Sequence, residues 1–218
     1  MASQVPARRV EGENSSALGD RLTRAILDIA GRVPNTDEHK SRGPDHRARA
    51  IASAAANKAA LAAGTLALPP GPFGWLTIVP ELVAIWRIQS QMVADIAGAY
   101  GVSAELTKSH MLYCLFRHAA AQAMRDVGVQ VGARLLIQDV PLRALERIAA
   151  KIGIGLSKRL AGRGIARWLP VIGALGVGAY AYYDTGQVAR TAIALFSNGG
   201  EAPPTKLAKR MRIKKDAE

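Results

Sequence analysis

An all-α fold is what the sequence predicts, on three observations. Apolar residues recur at helical spacing along most of the chain, no alternating strand pattern lasts more than a few residues, and alanine and glycine supply much of the apolar count. Apolar residues make up 49% of the 218 positions and aromatics only 5%, so small side chains must let helices pack closely. A chain of this length fits one domain with tails and is long enough to bury a core. The predicted architecture is a compact multi-helix bundle whose apolar helices are interrupted by glycine and proline. Polar, disordered tails are expected at residues 1–14 and 198–218, around a helical domain at 15–197.

A first helix is expected over residues 17–29, capped by Ser15 or Ser16. Leu18, Leu22, Ile26 and Ile29 share one face, and Gly31 and Pro34 end it. Residues 34–44, PNTDEHKSRGP, read as an exposed loop. An alanine-rich second helix follows over 45–67, where Ala52, Ala55, Ala56, Ala59, Ala60 and Ala63 allow a neighbour to approach closely. Leu68-Pro69-Pro70-Gly71-Pro72 stops it. After Gly74 a third helix carries Leu82, Ile85, Ile88, Met92 and Ile96 and ends at Tyr100-Gly101, a glycine C-cap.

Ser103 is the expected cap of a fourth helix reaching residue 127. A basic segment over 141–167 begins with proline, and its glycines at 153, 155, 162 and 164 are expected to break it. An apolar stretch over 168–183 then leads to a last helix from Asp184 to about Phe196. Asp184-Thr185-Gly186-Gln187 is a variant of the capping box there. The stretches PFGWLTIVPELVAIWRIQSQMVADIA and RWLPVIGALGVGAYAYYDTGQVARTAI each run from Trp-Leu to a helix bearing glutamine, in the manner of a distant internal repeat.

Charge narrows the partners. The 29 Lys and Arg against 17 Asp and Glu leave a formal net charge of +12, which favours an anionic partner. The single cysteine, Cys114, excludes an internal disulfide and fits a reducing compartment. The polar opening MASQVPARRVEGENSS carries no signal-peptide core and no glycine after Met1 for myristoylation, so a cytoplasmic location is expected. A spanning helix needs roughly 20 apolar residues. The candidates at 48–68, 72–86 and 168–183 are interrupted by Asn57 and Lys58, by Pro80 and Glu81, or by glycines. They read as buried helices or as segments that dip into an interface, with Trp75, Trp86 and Trp168 suited to the interfacial level and Trp86 equally to a core.

Two basic clusters stand out. Arg143, Arg147, Lys151, Arg159, Arg163 and Arg167 recur at multiples of four, with Lys158 beside them and an apolar stripe of Ile148, Ile152, Leu156 and Leu160 at similar spacing. The tail adds Lys206, Lys209, Arg210, Arg212, Lys214 and Lys215. A basic amphipathic helix of this kind points to a membrane surface or to nucleic acid. A second set, Glu81, Gln91, Asp95, Asp184, Gln187 and Arg190, places polar groups among apolar helices. Buried charges need partners, so these are expected to form a buried network, with Asp95 on Arg190, or to line a pocket for a small ligand or lipid head group.

His110, Cys114 and His118 lie on one helix face at i, i+4 and i+8. With Glu81 or Asp95 they offer a zinc-like or Cys–His arrangement, yet no CxxC, HExxH or second histidine cluster accompanies them. Residues 153–164 contain no GxxxxGK[ST] loop. No cofactor, metal or catalytic residue is therefore expected.

The stretch from Asn57-Lys58 through LPPGPFGWLTIVPEL, then IQSQMVADIAGAYG and WLPVIGALGVGAYAYYDTGQVARTAI, resembles the EcsC protein family over residues 48–196. Pro170-Val-Ile-Gly173 followed by Tyr183-Asp184, Gln187 and Arg190 carries the likeness most specifically. The family is mainly bacterial and helical and takes its name from an operon encoding an ABC transporter. The resemblance implies a membrane-associated protein with no defined reaction. Gly186 stands where the family leads one to expect arginine. The expected function is thus non-enzymatic attachment to the anionic cytoplasmic face of the cell membrane, with lipid and a membrane protein as partners. A nucleic-acid binder, and a hydrolase or metal enzyme built on Cys114 and His118, are the alternatives.

Overall fold

The computed structural model describes the backbone of residues 5–66, 74–117, 128–131, 134–137, 141–161 and 170–198. Within these it describes the side chains of 16–64, 79–117, 141–158 and 176–198. Helices dominate: α1 (Val5–Ala30), α2 (Pro44–Leu66), α3 (Gly74–Tyr100), α4 (Lys108–Phe116), α5 (Leu142–Ala161) and α6 (Pro170–Phe196). The fold is the all-α bundle the sequence predicts, with one antiparallel hairpin added. Its strands, β1 (Gly128–Val131) and β2 (Arg134–Ile137), pair Gly128 with Ile137 and Val131 with Arg134. A lone two-stranded hairpin adds little stability of its own.

α1 buries Leu22 and Ile26 completely and Ile29 nearly so, as its stripe requires. It begins at Val5, well before the expected start at residue 17, so its first turns extend through residues 5–14. Pro6 falls in the first turn, where proline is tolerated, and only Gly12 among the following residues is a poor helix former. In α2, Pro44 holds the first position and Asp45 faces the positive end of the helix dipole. Ala56, Ala59 and Ala63 are buried there. The close neighbour is α6, whose Gly178 would bring a Cβ to 3.1 Å from the Ala60 carbonyl oxygen.

α3 is the hub, touching α1, α2, α4 and α6. Its end is a Schellman motif: Gly101 at φ +77° donates to Gly98 O at 2.8 Å, and Val102 donates to Ala97 O at 2.9 Å. The chain then makes one 3₁₀ turn, Ser103–Glu105, so α4 starts later than the expected Ser103 cap. The cap is Thr107, which accepts from His110 N at 3.3 Å while His110 Nδ1 accepts from Thr107 N at 3.2 Å. Histidine in the place of the usual Glu or Gln hides this box from motif reading. Residues 118–127 of the expected helix lie outside the described residues. α4 is buried almost all round, from Met111 through Phe116, and Trp86 meets Phe116 edge-on at 5.2 Å. Trp86 is therefore a core residue and not an interfacial one.

α5 and α6 each correct an expected break. α5 runs unbroken through Gly153 and Gly155, and α6 runs unbroken through Asp184. An interior glycine costs a helix about 1 kcal/mol, which packing offsets. At Gly153 the absent side chain lets α1 come close: a Cβ there would lie 2.9 Å from Gly19 O and 3.0 Å from Thr23 N. Asp184 is thus mid-helix and caps nothing. Around Gly186 nothing lies within 4 Å of a Cβ, so the backbone there has room for a side chain.

Candidate functional site

The basic face of α5 follows from helical geometry. At 100° per residue, Arg143, Ile154, Arg147, Lys158 and Lys151 fall within an arc of about 80°. All five are exposed, Ile154 by 51%. On the opposite side Leu145, Ile148, Ala149 and Ile152 are buried in the main core. α5 packs on α1, and among the described residues no carboxylate forms an ion pair with Arg143, Arg147 or Lys158. The side chains of Arg159, Arg163 and Arg167, and the tail cations Lys206, Lys209, Arg210, Arg212, Lys214 and Lys215, lie outside the described residues.

Among the described residues, the polar groups on α3 and α6 fall into separate arrangements. Two of these arrangements are described. In the first, the loop 32–43, mostly exposed as expected, is anchored at several points on the C-terminal half of α3. Gly98 permits the contact, since a Cβ would meet Glu38 O at 2.6 Å. Thr36 Oγ1 donates to Asp95 Oδ1 at 2.7 Å, and Gln91 Nε2 donates to Asn35 O and to Asp95 Oδ1, both at 2.9 Å. Ser41 N donates to Ala99 O at 2.9 Å. Asp95 therefore holds a loop and not Arg190, which is exposed.

Around this contact lies an open groove of about 620 Å³, lined by Asp37, Glu38, His39, Ser41, Arg47, Gln91 and Asp95. Arg47 grips Glu38 with both Nε, at 3.0 Å, and a second guanidinium nitrogen. That hydrogen bond holds the Glu38 carboxyl below its ordinary range and raises Arg47. With Asp37 and Asp95 the groove is locally acidic in a basic protein.

The second arrangement is centred on Gln89, a residue the sequence reading passed over. It is completely buried, and its Nε2 donates to Asp184 Oδ2 at 2.8 Å and Thr185 Oγ1 at 3.2 Å, tying α3 to α6. The signal was available: Gln89 sits within the apolar run of Ile85, Met92, Val93 and Ile96. Glu81 is buried on the same helix, 5% exposed. Gln187 is half-buried, and its backbone carbonyl accepts from Thr191 Oγ1 at 3.0 Å.

His110, Cys114 and His118 do not assemble a site that the structure describes. His110 Nδ1 serves the cap of α4, and His118 lies outside the described residues. Cys114 is completely buried, and burial pushes its thiol far up, so it stays protonated near neutral pH. Among the described residues no group of three His, Cys, Asp or Glu is placed to hold a metal ion. Nor is any described helix long and apolar enough to cross a membrane. No protein-family model, no curated protein and no solved structure matches the chain.

Proposed function

We propose that this chain is an EcsC-like, non-enzymatic protein that attaches to the anionic cytoplasmic face of the cell membrane through α5. The observation that carries this reading is the α5 face: four exposed cations within a narrow arc, with exposed Ile154 among them, on a helix anchored by its other side. Each cation near an anionic leaflet contributes about 1 kcal/mol. Four contribute about 4 kcal/mol, close to a thousandfold in partitioning. The basic runs 159–167 and 206–215 add to the same attraction. Lipid is the partner, alone or with a membrane protein.

Flotation of the full-length protein with neutral and with anionic vesicles, across a salt series, tests it. Binding is expected to need anionic lipid and to weaken with salt. Changing Arg143, Arg147, Lys151 and Lys158 to Gln should lower it by two to three orders of magnitude, on the order of the charge term above. Removal of residues 201–218 should lower it further. Failure to float at low salt, with salt-sensitive binding to random duplex DNA instead, overturns the membrane reading in favour of nucleic acid.

A further inference from the structure

α6 presents a second surface of different chemistry. Tyr180, Tyr182 and Tyr183 are 59%, 48% and 63% exposed, while Ala181, Thr185 and Val188 on the other side are buried. Between Gly176 and Tyr183 the exposed side of the helix carries no charged residue, only tyrosine, glycine and alanine. Leu61 of α2 is 72% exposed. It follows Ala60, which meets Gly178 of α6, so it lies at the level of that helix crossing.

An exposed side that bears three tyrosines and no charge, on a chain of net charge +12, is suited to a surface of matching chemistry. A second copy would bring another +12 against the first. An anionic bilayer instead draws that charge in, and tyrosine is the residue type that rests at head-group level, ring in the apolar boundary and hydroxyl in water. The carboxylate that borders this face, Asp184, is half-buried and accepts from Gln89 Nε2.

We propose that the tyrosine face of α6 seats in the head-group layer of an anionic bilayer and supplies a salt-resistant contact distinct from the charge of α5. The proposal rests on the membrane reading above. To test it, the full-length protein receives Tyr183→Cys or, as a reference in the turn before α4, Ser103→Cys. Each is labelled under native conditions with an environment-sensitive maleimide, which the enclosed Cys114 does not take up.

On phosphatidylserine–phosphatidylcholine vesicles the label at 183 is expected to shift to the blue and to be quenched by brominated acyl chains. The label at 103 should do neither. In unlabelled protein, Tyr180→Ser with Tyr183→Ser should abolish the binding that survives high salt and spare most of the low-salt binding. Protein that floats while the label at 183 stays unquenched overturns the proposal and leaves the membrane reading standing. Protein that does not float at all overturns both. A change from dimer to monomer on the double serine substitution overturns it in favour of a second copy.

Discussion

The contact of α1 with α5 makes a sharp demand on one glycine. Gly153→Ala places a methyl group 2.9 Å from Gly19 O, 3.0 Å from Thr23 N and closer still to Thr23 Oγ1. Two of these are backbone atoms, and the hydroxyl is itself held, donating to Gly19 O at 2.8 Å. The helices must therefore separate. Alanine improves helix propensity by about 1 kcal/mol, whereas overpacking a tight contact costs about 1–3 kcal/mol. The balance is a net loss of up to about 2 kcal/mol from these two opposing effects. Two residues further on, Gly155 is exposed with nothing within 4 Å of its Cβ position, so Gly155→Ala keeps the gain alone.

The two variants should thus differ by about 2 kcal/mol, or about 4–8 °C in Tm for a chain of this size. Urea denaturation and thermal melts followed by circular dichroism read the difference. Adding Thr23→Ala to Gly153→Ala should restore only part of the loss, because the Gly19 carbonyl remains. Equal stabilisation by the two single alanines would refute the close approach of α1 and α5.

Three further outcomes are expected. Thr107→Ala removes the acceptor that caps α4 and should cost about 1 kcal/mol in the same denaturation assay; no change would remove the cap from the account. Cys114 should resist a thiol reagent near neutral pH in the folded protein and react at once in denaturant, and rapid native labelling would contradict its burial. Burial and the neighbouring Asp45 carboxylate push the Tyr100 hydroxyl from its usual 10 up to about 12. Its stabilising contribution is therefore full below pH 10 and lost as pH rises from 10 to 12. Tyr100→Phe should flatten that alkaline decline in stability, and an unchanged pH profile would rule Tyr100 out as its source.

Local signals settled a good deal of this molecule before any packing was known. The start of α2 and the end of α3 are written in Pro44 and Gly101, because proline suits a first turn and glycine tolerates positive φ. The core stripes of α1 and α3, and the amphipathic design of α5, follow from helical spacing alone. A helix through Gly153 and Gly155, or through Asp184, is another matter. Local propensity disfavours each, and only the fit of Gly153 against α1, or of Gly178 against α2, reveals what the glycines permit.

The polar residues show the same division. That Asp95 would have a partner was legible, since a charge amid apolar residues needs one. Which partner was not, because Thr36 lies 59 positions away and hydrogen bonds between distant segments leave no periodic trace. Gln89 needed Asp184 and Thr185 brought across from α6 before its place in an apolar stripe made sense. Residue types and their spacing determined the helices and the positive charge. Tertiary structure alone decided which helix faces meet and which remain open, because burial depends on neighbours that only the folded chain supplies.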